Sequence, residues 1–320
     1  MSPILLFSIG SFEICLHHAV LWLGIVLCML LCIPALRKHG FNAQTQMIFL
    51  PLALVFGFLF AHLCYGLLRI EYALYDRSLL WLLMFWEGGY MLYGGMLGVA
   101  LAALLSAKLS NASALKLMDA AAPVGALLIA FIRLAEGLSG SFFGDYLAEE
   151  SVLSFFPFAV YDVYYEGWVE AVFMGGVIVA LVVAIFLLLR KSAFDGDRTL
   201  LLISLYAAGQ IVLESMRFDD FLRWGFIRCS QVFSAAAILL VLLCYCRRCA
   251  GAWQKRRIAL WITFVVCAAL VLVLEFAVDG KIDFLSFLTP VHCHTIMAVI
   301  CAIMAGCVLT MRKCSLTVEE

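Results

Sequence analysis

The chain is 320 residues long, 66% hydrophobic and only 13% charged, whereas soluble domains run near 45–50% and about 25%; a water-soluble domain is excluded. Its net charge of −1, from 21 basic and 22 acidic residues, leaves no basic surplus to neutralise a phosphate backbone, so no nucleic acid is expected as partner. The 13 cysteines lie mostly within apolar runs (Cys28, Cys32, Cys64, Cys244, Cys267, Cys301, Cys307), where cysteine behaves as a small hydrophobe, and no disulfide framework is readable.

A membrane helix needs about 20 mostly apolar residues. In chain order the candidates are Ala19 to Leu36, Met47 to Leu68, Tyr90 to Ala107, Leu117 to Ile132, Val169 to Leu189, Leu200 to Met216, Gln231 to Cys246, Ile258 to Val278 and Val291 to Met311. The first is read as a retained span, because no basic stretch precedes it and no small-residue cleavage site follows. The fourth contains Asp119 and Pro123. Continuous apolar runs exclude the alternation of a membrane barrel, and only helices otherwise satisfy every backbone group in lipid. The expected fold is therefore all-α, a polytopic membrane bundle of about nine transmembrane helices. With the N-terminus outside and the C-terminus cytoplasmic, Lys and Arg favour the cytoplasmic segments two to one, as the positive-inside bias requires. The exceptions are Arg69, Arg77, Arg133, Arg217, Arg223, Arg228 and Lys281.

The longest outer segment, Leu134 to Trp168, has no Lys or Arg, is dense in aromatics and carries Glu136, Asp145, Glu149, Glu150, Asp162 and Glu166. It suits either an anchor in the head-group zone or a lid over a lipid site.

Ionisable groups in or at the end of a span are costly and mark candidate function. Here they are Glu87, Asp119, Arg133 with Glu136, Glu170, Glu214 with Arg217, and Glu275. Gln210, Glu214 and Arg217 fall on one helix face by their i, i+4 and i, i+3 spacing. Arg133 ends the fourth span on the same outer side, so two guanidinium groups converging there would clamp a phosphate in bidentate fashion. Trp86-Glu87-Gly88-Gly89 runs into Tyr93-Gly94-Gly95, a glycine density that allows close approach of a ligand or of a neighbouring helix. His17, before the first span, faces the same outer side. His292, Cys293 and His294 are consecutive and splay about 100° apart on a helix, so no metal site is expected.

Taken together, Phe12-Glu13-Ile14 after Ile9-Gly10, the WEGG and Tyr-Gly-Gly elements, Asp119 with Ala122-Pro123, Arg133 with Gly144, and Tyr206 to Arg217 followed by Asp219 and Gln231 resemble the prolipoprotein diacylglyceryl transferase family. The resemblance covers roughly residues 8 to 240. The family signature reads Arg-x-Gly-Asn-Phe-x-Asn-x-Glu-x-x-Gly. This chain keeps Arg133 and Gly144 but carries Glu136, Ser139 and Ser141 where the family has Asn, Asn and Glu, and Gln210 stands in place of an Arg.

The resemblance implies a seven-span core over residues 1–248, with a two-span extension over 249–320. It also implies transfer of a diacylglyceryl group from phosphatidylglycerol to the lipobox cysteine of a prolipoprotein signal peptide, at the outer face of the bacterial cytoplasmic membrane, without metal or organic cofactor. Under it, Arg133 and Arg217 hold the phosphate, with Gly144, Gln210, Gly94 and Gly95 in the substrate-binding set. Glu214 orients the arginine pair, Tyr93 positions the head group, and His17 or Glu136 takes the thiol proton. A lipid-binding accessory protein that kept the fold and lost the chemistry is the alternative.

Overall fold

The computed structural model describes residues 4–9, 12–148, 151–163, 165–249, 254–285 and 287–316. Gly10 of the N-terminal motif and Glu149 and Glu150 of the acidic segment lie outside them. All nine expected spans are helical: α1 (Leu16–Lys38), α2 (Ala43–Leu68), α4 (Leu92–Ser110), α5 (Ala114–Leu138), α6 (Val172–Leu189), α7 (Asp197–Ser215), α8 (Cys229–Cys246), α9 (Gln254–Val278) and α10 (Pro290–Leu316), with a short α3 (Ile70–Tyr75) after α2. Among the described residues, eight are long and apolar enough to cross a membrane. The exception is α7, whose Arg198, Gln210 and Glu214 dilute its apolar run. This is a multi-pass membrane bundle.

The sixth helix starts at Val172, not at Val169. Val169 and Glu170 belong instead to β4 (Gly167–Glu170), paired antiparallel with β3 (Ala159–Asp162). Two further hairpins join β1 (Leu5–Ile9) to β2 (Phe12–Cys15) and β5 (Arg223–Trp224) to β6 (Ile227–Arg228). Each hairpin pairs backbone groups at a helix entry, where an unpaired amide close to lipid would cost several kcal/mol, on the order of a lost buried hydrogen bond.

The described residues divide into two compact units. One comprises those of Met1–Val26, Gly125–Ala193 and Leu200–Glu320; the other comprises Leu27–Val124 and Phe194–Thr199. The extension helices α9 and α10 therefore fall in the same unit as α6 and α8.

In the second unit α2 and α4 lie close along their length, and the glycines of α4 are the reason. A Cβ on Gly98 would meet the backbone of Phe56, and one on Gly94 would meet the Phe60 carbonyl and the Cys64 side chain. Small residues that let backbones approach are the usual means of packing in lipid. The space beside Gly94 is thus filled by α2, whereas a Cβ on Gly95 would meet Ala61 and Gly57 only at ordinary contact distance. Buried His62 on α2 ties down the WEGG turn: its Nδ1 lies 2.8 Å from the Gly88 carbonyl and its Nε2 lies 3.0 Å from that of Trp81. Asp119 is structural. Its carboxylate accepts from the Gly196 and Thr199 backbone amides at 2.9 and 3.0 Å and from the Thr199 hydroxyl, which occupies amide donors that the start of α7 leaves unpaired.

In the first unit, Gly137 makes room for the Phe173 ring and Gly176 for the methylenes of Arg133. Phe142, Ala171, Val172, Phe173 and Leu213 form a buried apolar cluster there.

Candidate active site

The ends of α5 and α7 and the turns that follow them, all in the first unit, bring charged groups together. Arg133, one turn before the end of α5, is 3% exposed. Its Nε donates to the Tyr206 hydroxyl on α7 at 2.7 Å, and Nη1 pairs with Glu136 one turn on. Arg217, just past α7, is 6% exposed; it lies 3.5 Å from Glu214 and donates to both carboxylate oxygens of Asp219 through Nε and Nη2 at 2.8–3.0 Å. Both guanidinium groups sit over the same ring. Arg133 lies 4.6 Å and Arg217 4.5 Å from the centroid of Phe142, a fully buried side chain. Such cation–π contacts contribute about 2 kcal/mol each when desolvated.

Phe142 is held there by an uncommon backbone. Its φ is +65°, a left-handed conformation that residues other than Gly, Asn and Asp seldom adopt and that costs about 1–3 kcal/mol. The surroundings impose it: the Phe142 amide donates to Asp219 at 3.2 Å and its carbonyl accepts from the Phe173 amide at 3.0 Å. Gly144 follows, and a Cβ at that position would collide with Glu170 and Val172. Its backbone amide donates to the Glu170 carbonyl.

A third arginine joins the cluster. Arg228, at the end of β6, donates through Nη2 to the carbonyl of Arg217 and lies 3.5 Å from Asp219. Burial lowers its pKa, as desolvation opposes the charged form. Asp219 has the opposite balance. Burial pushes its carboxyl up, but hydrogen bonds and charge pairing with Arg217, together with the Phe221 and Phe142 amides, outweigh that and hold it below the usual carboxylate range. Glu170 is raised, chiefly by burial.

Three arginines therefore face three carboxylates, Glu136, Glu214 and Asp219, as buried charges require. Two acceptors are left over. Gln210 donates to Glu214, yet the Gln210 Oε1 and Glu214 Oε2 atoms are buried with no hydrogen-bond partner. Beside the cluster, a cavity of about 340 Å³ opens between Phe142, Gly144, Tyr146, Asp162, Phe218 and Asp219.

The expected residues Arg133, Glu136, Gly144, Gln210, Glu214 and Arg217 are thus gathered in one unit. Tyr93, Gly94 and Gly95 belong to the other, at the start of α4. His17 lies in the first turn of α1, with its ring 4.0 Å from that of His18 and its Nδ1 buried and unpartnered; none of its contacts among the described residues reaches the arginines. Phe142, Tyr206 and Arg228 were not singled out for the site by sequence. Arg228 was visible only as a basic residue on the side where such residues are scarce.

Residues 4–247 match the family model described as prolipoprotein diacylglyceryl transferase. Proteins named phosphatidylglycerol–prolipoprotein diacylglyceryl transferase from Bacillus licheniformis and Listeria innocua are each 26% identical to the chain, over 262 and 248 residues, covering 78% and 73% of it and 94% and 85% of the relative. One from Staphylococcus saprophyticus is 23% identical over 238 residues, 73% of this chain and 85% of the relative.

Proposed function

The chain belongs to the prolipoprotein diacylglyceryl transferase family, and from that premise we propose that it transfers the diacylglyceryl group of phosphatidylglycerol to the lipobox cysteine thiol of prolipoproteins. The reaction would take place at the outer face of the bacterial cytoplasmic membrane, with the N-terminus outside. The observation that carries the proposal is the convergence of Arg133 and Arg217 on the buried Phe142 ring. Two guanidinium groups held against one buried ring suit a phosphodiester better than any neutral ligand.

In this reading the phosphate competes with Glu136 and Glu214 for the two arginines. Glu136, whose side chain keeps about a third of its surface exposed, is released to accept the proton of the incoming thiol. A base is needed because a free thiol of pKa near 8.5 is only a few per cent thiolate at pH 7. The thiolate sulfur attacks the diacylglyceryl carbon that carries the phosphate ester. The carbon–sulfur bond forms as the carbon–oxygen bond breaks, and the electron pair leaves on glycerol phosphate, whose charge the arginines stabilise. The orphan oxygens of Gln210 and Glu214 need donors, and the hydroxyls of the head-group glycerol are donors of the right kind. The aromatic cavity next to Phe142 and Gly144 receives the acceptor cysteine.

The test is complementation of a strain depleted of its own transferase, with lipoprotein mobility as readout. Restored lipidation is expected, and Arg133→Ala should abolish it at unchanged protein abundance. Lipid binding without product would leave the accessory reading in its place.

A further inference from the structure

The helices α9 and α10 lie beyond the family match and have no part in the reaction just described. Yet α9 carries Glu275, a carboxylate only 6% exposed within an apolar helix, and an ionisable group placed there needs a partner and a reason. One partner is Gln231 in the first turn of α8, whose Nε2 donates to Glu275 Oε1.

Gln231 is fully committed. Its other N–H donates to the carbonyl of Ile211 on α7 at 3.2 Å, and its Oε1 accepts the backbone amide of Arg228 at 3.1 Å. Ile211 adjoins Gln210 and sits one turn before Glu214, while Arg228 reaches on to the carbonyl of Arg217. One amide thus joins the backbone of α7 to the third arginine, and Glu275 is its remaining acceptor. The same end of α9 grips the β5–β6 hairpin. Phe276 stacks on Phe226 with centroids 3.8 Å apart, and Asp279 accepts from Arg223 at 2.7 Å.

We propose that Glu275 is a positioning residue for the transfer: from outside the family-matched part of the chain, α9 supplies the acceptor that fixes Gln231, and through it the α7 backbone beside Glu214 and the placement of Arg228. The inference rests on the transferase reading of the site. Without an acceptor at position 275 the Gln231 amide is free to turn, its bond to Arg228 is no longer enforced, and the phosphate clamp loosens. Removing one partner of a buried hydrogen bond is costly because the other is left unsatisfied.

The experiment uses the full chain in mixed micelles with phosphatidylglycerol and a lipobox peptide. Glu275→Leu is expected to raise the KM for phosphatidylglycerol about tenfold and to leave the KM for the peptide unchanged. Glu275→Gln, which retains a carbonyl acceptor, should stay within about twofold of the unaltered chain. Glu275→Met, which keeps the length and apolar contacts should leucine hamper folding, is held to the same result as leucine. A fall in folded protein alone, with both KM values unchanged, overturns the proposal, as does a glutamine variant as impaired as leucine. Phosphatidylglycerol binding, measured alongside, separates the two readings. If the unaltered chain binds the lipid but makes no product, the transferase assignment falls. The positioning role then stands only if Glu275→Leu weakens binding about tenfold and Glu275→Gln does not.

Discussion

At the scale of single residues, Phe142 decides the most. It is an ordinary phenylalanine in an aromatic-rich stretch, yet its ring seats both arginines and its backbone sits at φ +65°. Losing one desolvated cation–π contact of about 2 kcal/mol is a factor of about 30 in an equilibrium. Phe142→Leu should therefore lower kcat/KM for transfer by at least about 30-fold with Arg133 and Arg217 intact; an unchanged value in a steady-state assay would remove the ring from the site. Sequence alone could rank Arg133 and Arg217, because charge in a span is costly. It could not find Phe142, because its position depends on a hydrogen bond from its backbone amide to Asp219, 77 residues away.

Asp219 makes a prediction about pH. A carboxyl held below its usual value adds stability above the unfolded pKa of about 4, and that contribution is lost as pH falls through the lower folded value. The melting temperature in detergent should drop as pH is taken below about 4, and Asp219→Asn should flatten that part of the profile. A variant with the same acid slope would mean that Asp219 is not held low by Arg217.

At the scale of elements, the helices were legible and their polar punctuation was not. Apolar run length located nine helices, eight of them long and apolar enough to cross a membrane among the described residues. The β3–β4 hairpin was hidden because Val169 reads as the start of an apolar run, whereas pairing with Val160 places it in a strand. Asp119 was a candidate functional charge, and its two carboxylate oxygens turn out to be occupied by Gly196 and Thr199. Loss of a capping carboxylate costs about 0.5–2 kcal/mol. Asp119→Ala should accordingly lower thermal stability by roughly that amount while leaving KM for both substrates unchanged; a change in KM would return Asp119 to the site. Gly94 and Gly98 likewise explain themselves as the surface on which α2 lies.

At the scale of the whole molecule, the sorting of basic residues predicts which way the bundle faces. Lys and Arg outnumber their outward counterparts two to one on the segments assigned to the cytoplasm. A C-terminal green fluorescent protein fusion should fluoresce and a C-terminal alkaline phosphatase fusion should be inactive. The reverse pattern would invert the topology and move the arginine cluster to the inner face.

Composition and run length by themselves determined a helical membrane bundle, because lipid leaves backbone groups no partner except one another. Motif order carried the family, and the cost of charge in lipid singled out most of the ionised site residues. Which of those charges lie together was decided only by the tertiary structure. Arg133, Tyr206, Arg217 and Arg228 come from separate elements, and a buried guanidinium is stable only where packing happens to bring it a carboxylate, a ring or a carbonyl. The same holds for Glu275, an isolated acid in an apolar run until α9 and α8 place it against Gln231.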